Sequence, residues 1–153
     1  MDIKRAAAAG AIGTGVLTAL WLVEPSLGLP QIAVGQILST FMSVSVAQMQ
    51  VGAAGGWIVH LVMGIALAMV YAGFLADRLS GPPTVRGAVF GVIVFVAAQT
   101  IFMPLVGAGF FARGDTELLI GSLIGHIVYG LVVGWIYGLP FATASAAPRA
   151  TAR

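Results

Sequence analysis

The chain has 153 residues, of which 59% are hydrophobic and 8% charged, and its formal net charge is +2. Soluble domains carry about 25% charged residues, and a core of this size cannot hide so much apolar surface. The composition therefore excludes a soluble enzyme and a disordered chain. The absence of cysteine excludes disulfide scaffolds and thiolate chemistry. The small, scattered charge excludes nucleic acid as a partner and leaves the lipid bilayer.

Charged positions divide the sequence into apolar stretches that are long enough for membrane-spanning helices. About 20 helical residues cross a hydrocarbon core of about 30 Å. The apolar residues do not alternate with the period of two that β-barrel strands show. The predicted fold is all-α, an integral membrane four-helix bundle. Its predicted spans are residues 6–23, 56–76, 86–106 and 118–139.

The basic residues predict the orientation of these spans. With four spans, all the basic clusters fall on one side of the membrane, and the positive-inside rule assigns that side to the cytoplasm. The clusters are Lys4 with Arg5, Arg78 with Arg86, and Arg149 with Arg153. Both termini are therefore predicted to be cytoplasmic. At the other end of the first span, we expect Trp21 to anchor the helix at the interface and Glu24 to cap or pair outside it.

Residues 30–50 allow three interpretations. Gln31, Gly35, Ser39 and Ser43 recur every four residues, while apolar side chains occupy the other faces. This pattern is typical of an amphipathic helix, and it contains no charge. Such a helix can lie in the interface, re-enter the membrane or span it. A fifth span would place Lys4 and Arg5 opposite the other basic clusters, so we favour an interfacial or re-entrant helix.

The sequence also contains an internal repeat. The second and fourth spans match in register, so that His60 aligns with His126, Gly64 with Gly130 and Tyr71 with Tyr137. We therefore expect one membrane domain, 1–153, built of two tandem helical hairpins at about 1–78 and 84–140. A disordered tail is expected at 141–153. Small residues four apart allow close helix packing in lipid. The predicted packing residues are Gly56, Gly64, Ala68, Gly130 and Gly134.

The two histidines are the strongest candidates for chemistry, because a histidine at membrane depth is a functional hypothesis by default. They can bond neighbouring groups structurally, form part of a polar pathway, or act as axial ligands of one b-type haem. A shared metal ion is a fourth interpretation, but two ligands make an incomplete site, and no metal is predicted. The polar-pathway candidates are His60, His126, Tyr71, Tyr137, Gln99 and Thr100.

Two stretches carry a resemblance to a known family. MPLVGAGFF at 103–111 and GSLIGHIVYG at 121–130 are similar to a family of small bacterial and archaeal membrane proteins of unknown function. The resemblance implies a four-span protein in the inner, cytoplasmic membrane of a prokaryote. It implies no activity and no catalytic residue. It also draws attention to the outer loop at 103–111, which can cap the bundle or act as a lid over the histidines.

The sequence contains no Ser-His-Asp set, phosphate loop or pair of catalytic carboxylates. We therefore predict a non-enzymatic membrane protein without a cofactor. It would be a component of a small-solute or ion pathway, or an accessory subunit of a larger membrane complex. A homo-oligomer is compatible with either role. The alternative is an electron-transfer subunit that holds haem b between His60 and His126.

Overall fold

The computed structural model describes residues 1–28, 32–45 and 51–140. The predicted tail at 141–153 and parts of the 30–50 segment lie outside these residues. Within the described part of the chain the regular structure is entirely helical, and four helices are long and apolar enough to cross a membrane. The prediction of an all-α membrane bundle is therefore confirmed.

The first helix, α1, covers Ile3–Val23 and begins after Asp2, whose carboxylate accepts a hydrogen bond from the Arg5 amide at 3.0 Å. It tightens into a 3-10 turn at Glu24–Leu27, which contains Pro25 and ends at Gly28. Gly28 has a φ of 81°, a left-handed conformation that glycine adopts without steric cost. The first candidate span therefore ends at this turn.

The remaining long helices are α3 (Gly52–Val70), α4 (Pro83–Ala97) and α5 (Thr116–Gly138). Two of them continue through wide π-helical turns. One follows α3 at Tyr71–Leu75 and the other follows α4 at Ala98–Phe102. With these extensions, the spans lie within about one helical turn of the predicted limits. Their bounds are Ile3–Leu27, Gly52–Leu75, Pro83–Leu105 and Thr116–Gly138.

The second helix, α2, covers Val34–Ser45 and, as described, is shorter than a membrane-spanning helix. Its 12 residues reach about 18 Å at about 1.5 Å per residue, against about 30 Å of hydrocarbon. It packs on α3, and a Cβ atom at Gly56 would overlap the carbonyl oxygen of Gly35. The prediction of an extra short amphipathic helix is confirmed.

The four spans pack unevenly around the bundle. α1 lies between α3 and α5, and α4 packs on α5, but α3 and α4 make no comparably extensive contact in the described chain. They meet near the end that carries Arg5 and Arg86, which we call the basic end, where the rings of Tyr71 and Phe90 are 5.2 Å apart. Towards the opposite end, which we call the histidine end, α3 and α4 separate and α2 lies beside the gap.

Candidate functional site

A partly open cavity of about 310 Å³ lies between the helices where α3 and α4 separate. All five helices contribute to its wall, and most of the lining side chains are apolar. None of the described residues that line it is charged. The polar lining residues, apart from one tryptophan, are Thr14, His60, Gln99, Ser122, His126 and Tyr129. An uncharged, mostly apolar cavity of this size is typical of a site for a small lipophilic molecule.

Both histidines line this cavity and contact the same tryptophan. The Trp21 ring stacks on His60 with centroids 5.4 Å apart, and it meets His126 edge-on at 6.2 Å. Trp21 is only 6% exposed, so the prediction that it anchors α1 at the interface is wrong. Its indole instead fills the space beside two imidazoles that come from aligned positions of α3 and α5.

The protonation of His126 follows from its hydrogen bond. Its Nδ1 atom lies 2.7 Å from the carbonyl oxygen of Ser122. A carbonyl oxygen only accepts, so Nδ1 carries the hydrogen and donates it. The Nε2 atom of the neutral ring is then an acceptor. His60 has a weaker local partner, because its Nδ1 lies 3.5 Å from the Thr18 hydroxyl.

Gln99 lies on the wide turn Ala98–Phe102, and π-helical turns often occur at functional sites. Its side chain is 2% exposed. The amide nitrogen donates to the Ser122 hydroxyl at 3.1 Å. The amide oxygen has no hydrogen-bond partner among the described residues, and the same holds for the indole nitrogen of Trp21. Both residues line the cavity with other atoms, because these two polar atoms have almost no accessible surface and do not face it.

The predicted pathway residues fall into separate groups. His60, His126 and Gln99 meet at the cavity. Tyr71 and Tyr137 pack together at the basic end, with ring centroids 6.1 Å apart. Thr100 does not line the cavity in the described structure.

Buried apolar side chains lie between the histidines at the cavity and the tyrosine pair at the basic end. Phe90 on α4 and Val133 on α5 lie along their helices between the two groups, and both are in the core. The hydroxyl of Thr100 donates to the Val96 carbonyl of its own helix at 2.7 Å. The arrangement is therefore a cavity at one end of the bundle and a tyrosine pair at the other.

Three of the predicted packing glycines lie at close contacts between helices. A Cβ atom at Gly130 would overlap the carbonyl oxygen of Gly87, and one at Gly134 would overlap that of Pro83. A Cβ atom at Gly64 would overlap the hydroxyl of Thr14. The glycines therefore let α5 approach α4, and α3 approach α1, with little separation between backbones.

Sequence reasoning missed one buried polar residue of the cavity wall, Tyr129, and misplaced another, Glu24. The hydroxyl of Tyr129 donates to the carbonyl oxygen of Gly64 at 2.6 Å. The position of Tyr129 one helical turn after His126, inside the GHIVYG stretch, was the feature of the sequence that could have identified it. Glu24 is 1% exposed, and its carboxylate oxygens have no hydrogen-bond partner among the described residues. The prediction that Glu24 caps or pairs outside the membrane is therefore wrong.

Glu24 fits against α5 because Gly121 leaves room for it. A Cβ atom at Gly121 would lie 3.1 Å from a carboxylate oxygen of Glu24. One turn further along α5, a Cβ atom at Gly125 would lie 2.7 Å from the indole nitrogen of Trp21. Two glycines of α5 thus accommodate the side chain of Trp21 on α1 and that of Glu24 in the turn that follows α1. In the described residues, no group of three or more His, Cys, Asp or Glu side chains is placed to hold a metal ion.

The model of a family of unknown function (DUF6789) matches residues 1–146. No curated protein and no solved structure matches the chain.

Proposed function

The chain belongs to this family of unknown function, as the sequence resemblance predicted, and we propose that it binds a small lipophilic molecule inside its helix bundle without chemically changing it. The cavity carries this proposal. It lies between helices and is partly open, its wall is almost entirely apolar, and both histidines are among the residues that line it. Ligand sites for small molecules combine these features.

A binding cavity agrees better with the packing than an ion pathway does. An ion or proton pathway needs polar groups that follow one another across the membrane. The core side chains Phe90 and Val133 separate the histidine group from the tyrosine pair. The wall also presents no charged side chain among the described residues to stabilise an ion. A lipophile can instead enter from the hydrocarbon core without crossing the basic end.

The cavity volume limits the size of the molecule. A water molecule occupies about 30 Å³ in the liquid, so a cavity of about 310 Å³ holds a compound of about ten non-hydrogen atoms. A whole phospholipid or a haem macrocycle would extend beyond this volume. We further propose that the protein lies in the cytoplasmic membrane with its basic end in the cytoplasm, as its basic residues favour. The homo-oligomer and the larger complex remain predictions.

Binding of n-butylbenzene, a lipophile of suitable size, tests this function. The thermal unfolding of the protein in lipid nanodiscs is followed as the probe is added, since a ligand that binds the folded state raises the unfolding temperature. We expect a saturable increase in the natural protein. Ala98→Phe fills the cavity from a lining position and should remove the increase. Val96→Phe places the same ring at a 45% exposed position outside the lining and should preserve it.

Two results would contradict the proposal. One is the absence of saturable stabilisation in the natural protein. The other is equal stabilisation of the Ala98→Phe and Val96→Phe variants, because the probe would then act through the bilayer.

A further inference from the structure

We infer that a second, partly open pocket, at the basic end of the bundle, binds an anionic phosphate group, either of a membrane lipid or of free phosphate. This site is separate from the cavity at the histidine end and does not depend on the function proposed for it. The pocket has a volume of about 290 Å³, and polar atoms contribute to its wall at least as much as apolar atoms do. We call it the basic-end pocket, and its polar lining residues are Arg5, Tyr71, Asp77, Arg86 and Tyr137.

Tyr71 supplies a hydroxyl that no described protein group bonds. The residue is only 2% exposed. Its hydroxyl oxygen is nevertheless not among the fully enclosed polar atoms of the described chain that lack a partner, so it retains accessible surface. Because Tyr71 lines the basic-end pocket, this remaining surface opens into the pocket. The hydroxyl is therefore a donor that is held in a buried side chain and directed into the site.

Arg86 supplies a positive charge that no carboxylate of the described residues pairs with. Its Nε atom donates to the carbonyl oxygen of Gly81 at 2.7 Å, and its Nη1 atom donates to that of Ala76. Both acceptors are neutral, so they hold the guanidinium in place without cancelling its charge. The Nη2 atom makes no hydrogen bond within the described structure, and it is also not among the fully enclosed atoms. This atom is therefore available to an anion.

Tyr137 and Arg5 form the side of the pocket that belongs to α5 and α1. The Tyr137 hydroxyl accepts a hydrogen bond from the amide of Asp2 at 3.2 Å, so its own hydrogen is available for an acceptor. The Nη1 atom of Arg5 donates to the carbonyl oxygen of Tyr137 at 3.0 Å. Arg5 also forms an ion pair with Asp2 at 3.8 Å. We therefore expect Arg86 to provide more of the attraction for an anion than Arg5 does.

These groups favour an anion with several acceptor oxygens. Tyrosine hydroxyls and guanidinium groups both donate, and a phosphate accepts several such bonds at once. The lining residues include two arginines and one carboxylate, that of Asp77, so their net charge is positive. Asp77 is exposed, and solvent screens exposed charges more than partly buried ones.

The depth of the pocket favours a lipid as the source of the phosphate. The pocket lies where the candidate spans begin or end, near Ile3, Leu75, Pro83 and Gly138. Lipid headgroups lie at the ends of membrane spans, and basic pockets between membrane helices on the cytoplasmic side bind them. The basic residues assign this same end to the cytoplasm.

The test follows thermal unfolding in a neutral detergent at constant ionic strength, since a ligand of the folded state raises the unfolding temperature. The probes are dioleoylphosphatidylglycerol, dioleoylglycerol, which has the same chains without a phosphate, and inorganic phosphate. We expect the phospholipid to bind about tenfold more tightly than dioleoylglycerol, or about 1.4 kcal/mol. Ala98→Phe, which fills the cavity but lies outside the basic-end pocket, should keep this preference. A saturable response to inorganic phosphate without the lipid preference would assign the site to free phosphate.

Substitutions at the basic end locate the binding site. Arg86→Gln and Tyr71→Phe should each weaken binding of the phosphate-bearing probe about tenfold, because each removes a hydrogen bond to a charged group. Tyr71→Phe breaks no bond within the described structure, so it tests the site even if Arg86→Gln does not fold. Arg78→Gln is the matched control, because Arg78 has the same charge at the same end but bonds the Phe74 carbonyl and does not line the pocket. It should weaken binding by about twofold or less.

Three results would overturn the inference. The first is the absence of a saturable response both to inorganic phosphate and to the phospholipid beyond that to dioleoylglycerol. The second is equal weakening by Arg78→Gln and Arg86→Gln, because diffuse surface charge would then attract the anion. The third is unchanged binding by Tyr71→Phe. None of these results affects lipophile binding, which is measured separately with n-butylbenzene.

Discussion

The hydroxyl of Tyr129 on α5 donates a buried hydrogen bond to the carbonyl oxygen of Gly64 on α3, with a distance of 2.6 Å. The tyrosine ring passes α1 at Gly13, where a Cβ atom would lie 3.1 Å from the ring. The bond therefore joins two helices on opposite sides of α1 and forms part of the cavity wall, which both residues line.

Removal of this bond should destabilise the bundle moderately. We expect Tyr129→Phe to lower the free energy of unfolding by about 0.6–1.5 kcal/mol, since hydrogen bonds between membrane helices are weaker than their burial suggests. Tyr71→Phe is the control, because the Tyr71 ring is equally buried and its hydroxyl has no hydrogen bond in the described structure. Thermal unfolding in one detergent compares the two variants. An equal effect of both would show that the Tyr129 bond contributes nothing of its own.

The glycine contact between α4 and α5 gives a second prediction. A Cβ atom at Gly130 would overlap the carbonyl oxygen of Gly87. Gly130→Ala must therefore move the backbones of α4 and α5 apart, and lipid provides no force that restores their contact. Overpacking costs about 1–3 kcal/mol, and we expect a loss at the upper end. Gly15→Ala is the control, because no described atom lies within 4 Å of its added carbon. Detergent stability that is equally unaffected in the two variants would contradict the contact.

The sequence was sufficient to predict the elements of this fold. Gaps between charges located the four spans, and the four-residue recurrence after Pro30 indicated the short helix that the structure begins at Val34. These features depend on local composition and periodicity, which a single sequence contains.

The cavity could not be predicted, because it results from unequal packing between helices. If the repeat were symmetric in space, α3 would pack on α4 as extensively as α1 packs on α5. Instead, α1 packs on α5 while α3 and α4 separate near the histidines. The burial of Trp21 and Glu24 depends on two glycines of α5 that lie about a hundred residues away in the chain. Polar residues near span ends more often lie at the interface. Trp21 and Glu24 do not follow this preference, so the predictions based on it were wrong.

The burial of Glu24 leads to a third prediction. Its carboxylate is 1% exposed and has no partner among the described residues. A buried charge costs several kcal/mol unless it is paired, so Glu24→Gln should raise the free energy of unfolding at neutral pH by about 1 kcal/mol or more. Glu117→Gln removes the same charge at an exposed position and should change stability by less than about 0.5 kcal/mol. Strong destabilisation by Glu24→Gln alone would indicate that the carboxylate is needed for folding.

The orientation of the bundle is the fourth prediction. The natural chain has no cysteine, so single substitutions at loop positions report sidedness without background. Ser80→Cys, in the connection before α4, should react with a membrane-impermeant maleimide only from the cytoplasm. Arg113→Cys, in the loop before α5, should react only from outside. Labelling from the opposite sides would reverse the assignment, and labelling of both from one side would contradict a four-span topology.

The last prediction separates lipophile binding from haem binding. A bis-imidazole haem needs a planar macrocycle between His60 and His126, with both rings ligating the iron. In the structure, the indole of Trp21 packs against both imidazoles, so a macrocycle would have to displace a buried side chain. A haem would also extend beyond the cavity of about 310 Å³. We therefore expect protein that is expressed with adequate haem supply to be colourless after purification.

His60→Ala and His126→Ala extend this test. If the histidines are structural and line the cavity, each variant stays colourless. The His126 variant also loses the Nδ1 bond to Ser122, which should lower stability by about 0.6–1 kcal/mol. A stoichiometric Soret band in the natural protein that disappears in either variant would instead assign the histidines to iron. That result would replace lipophile binding by electron transfer as the function of the bundle, because the same two side chains cannot ligate haem and line a cavity that remains open to a small molecule.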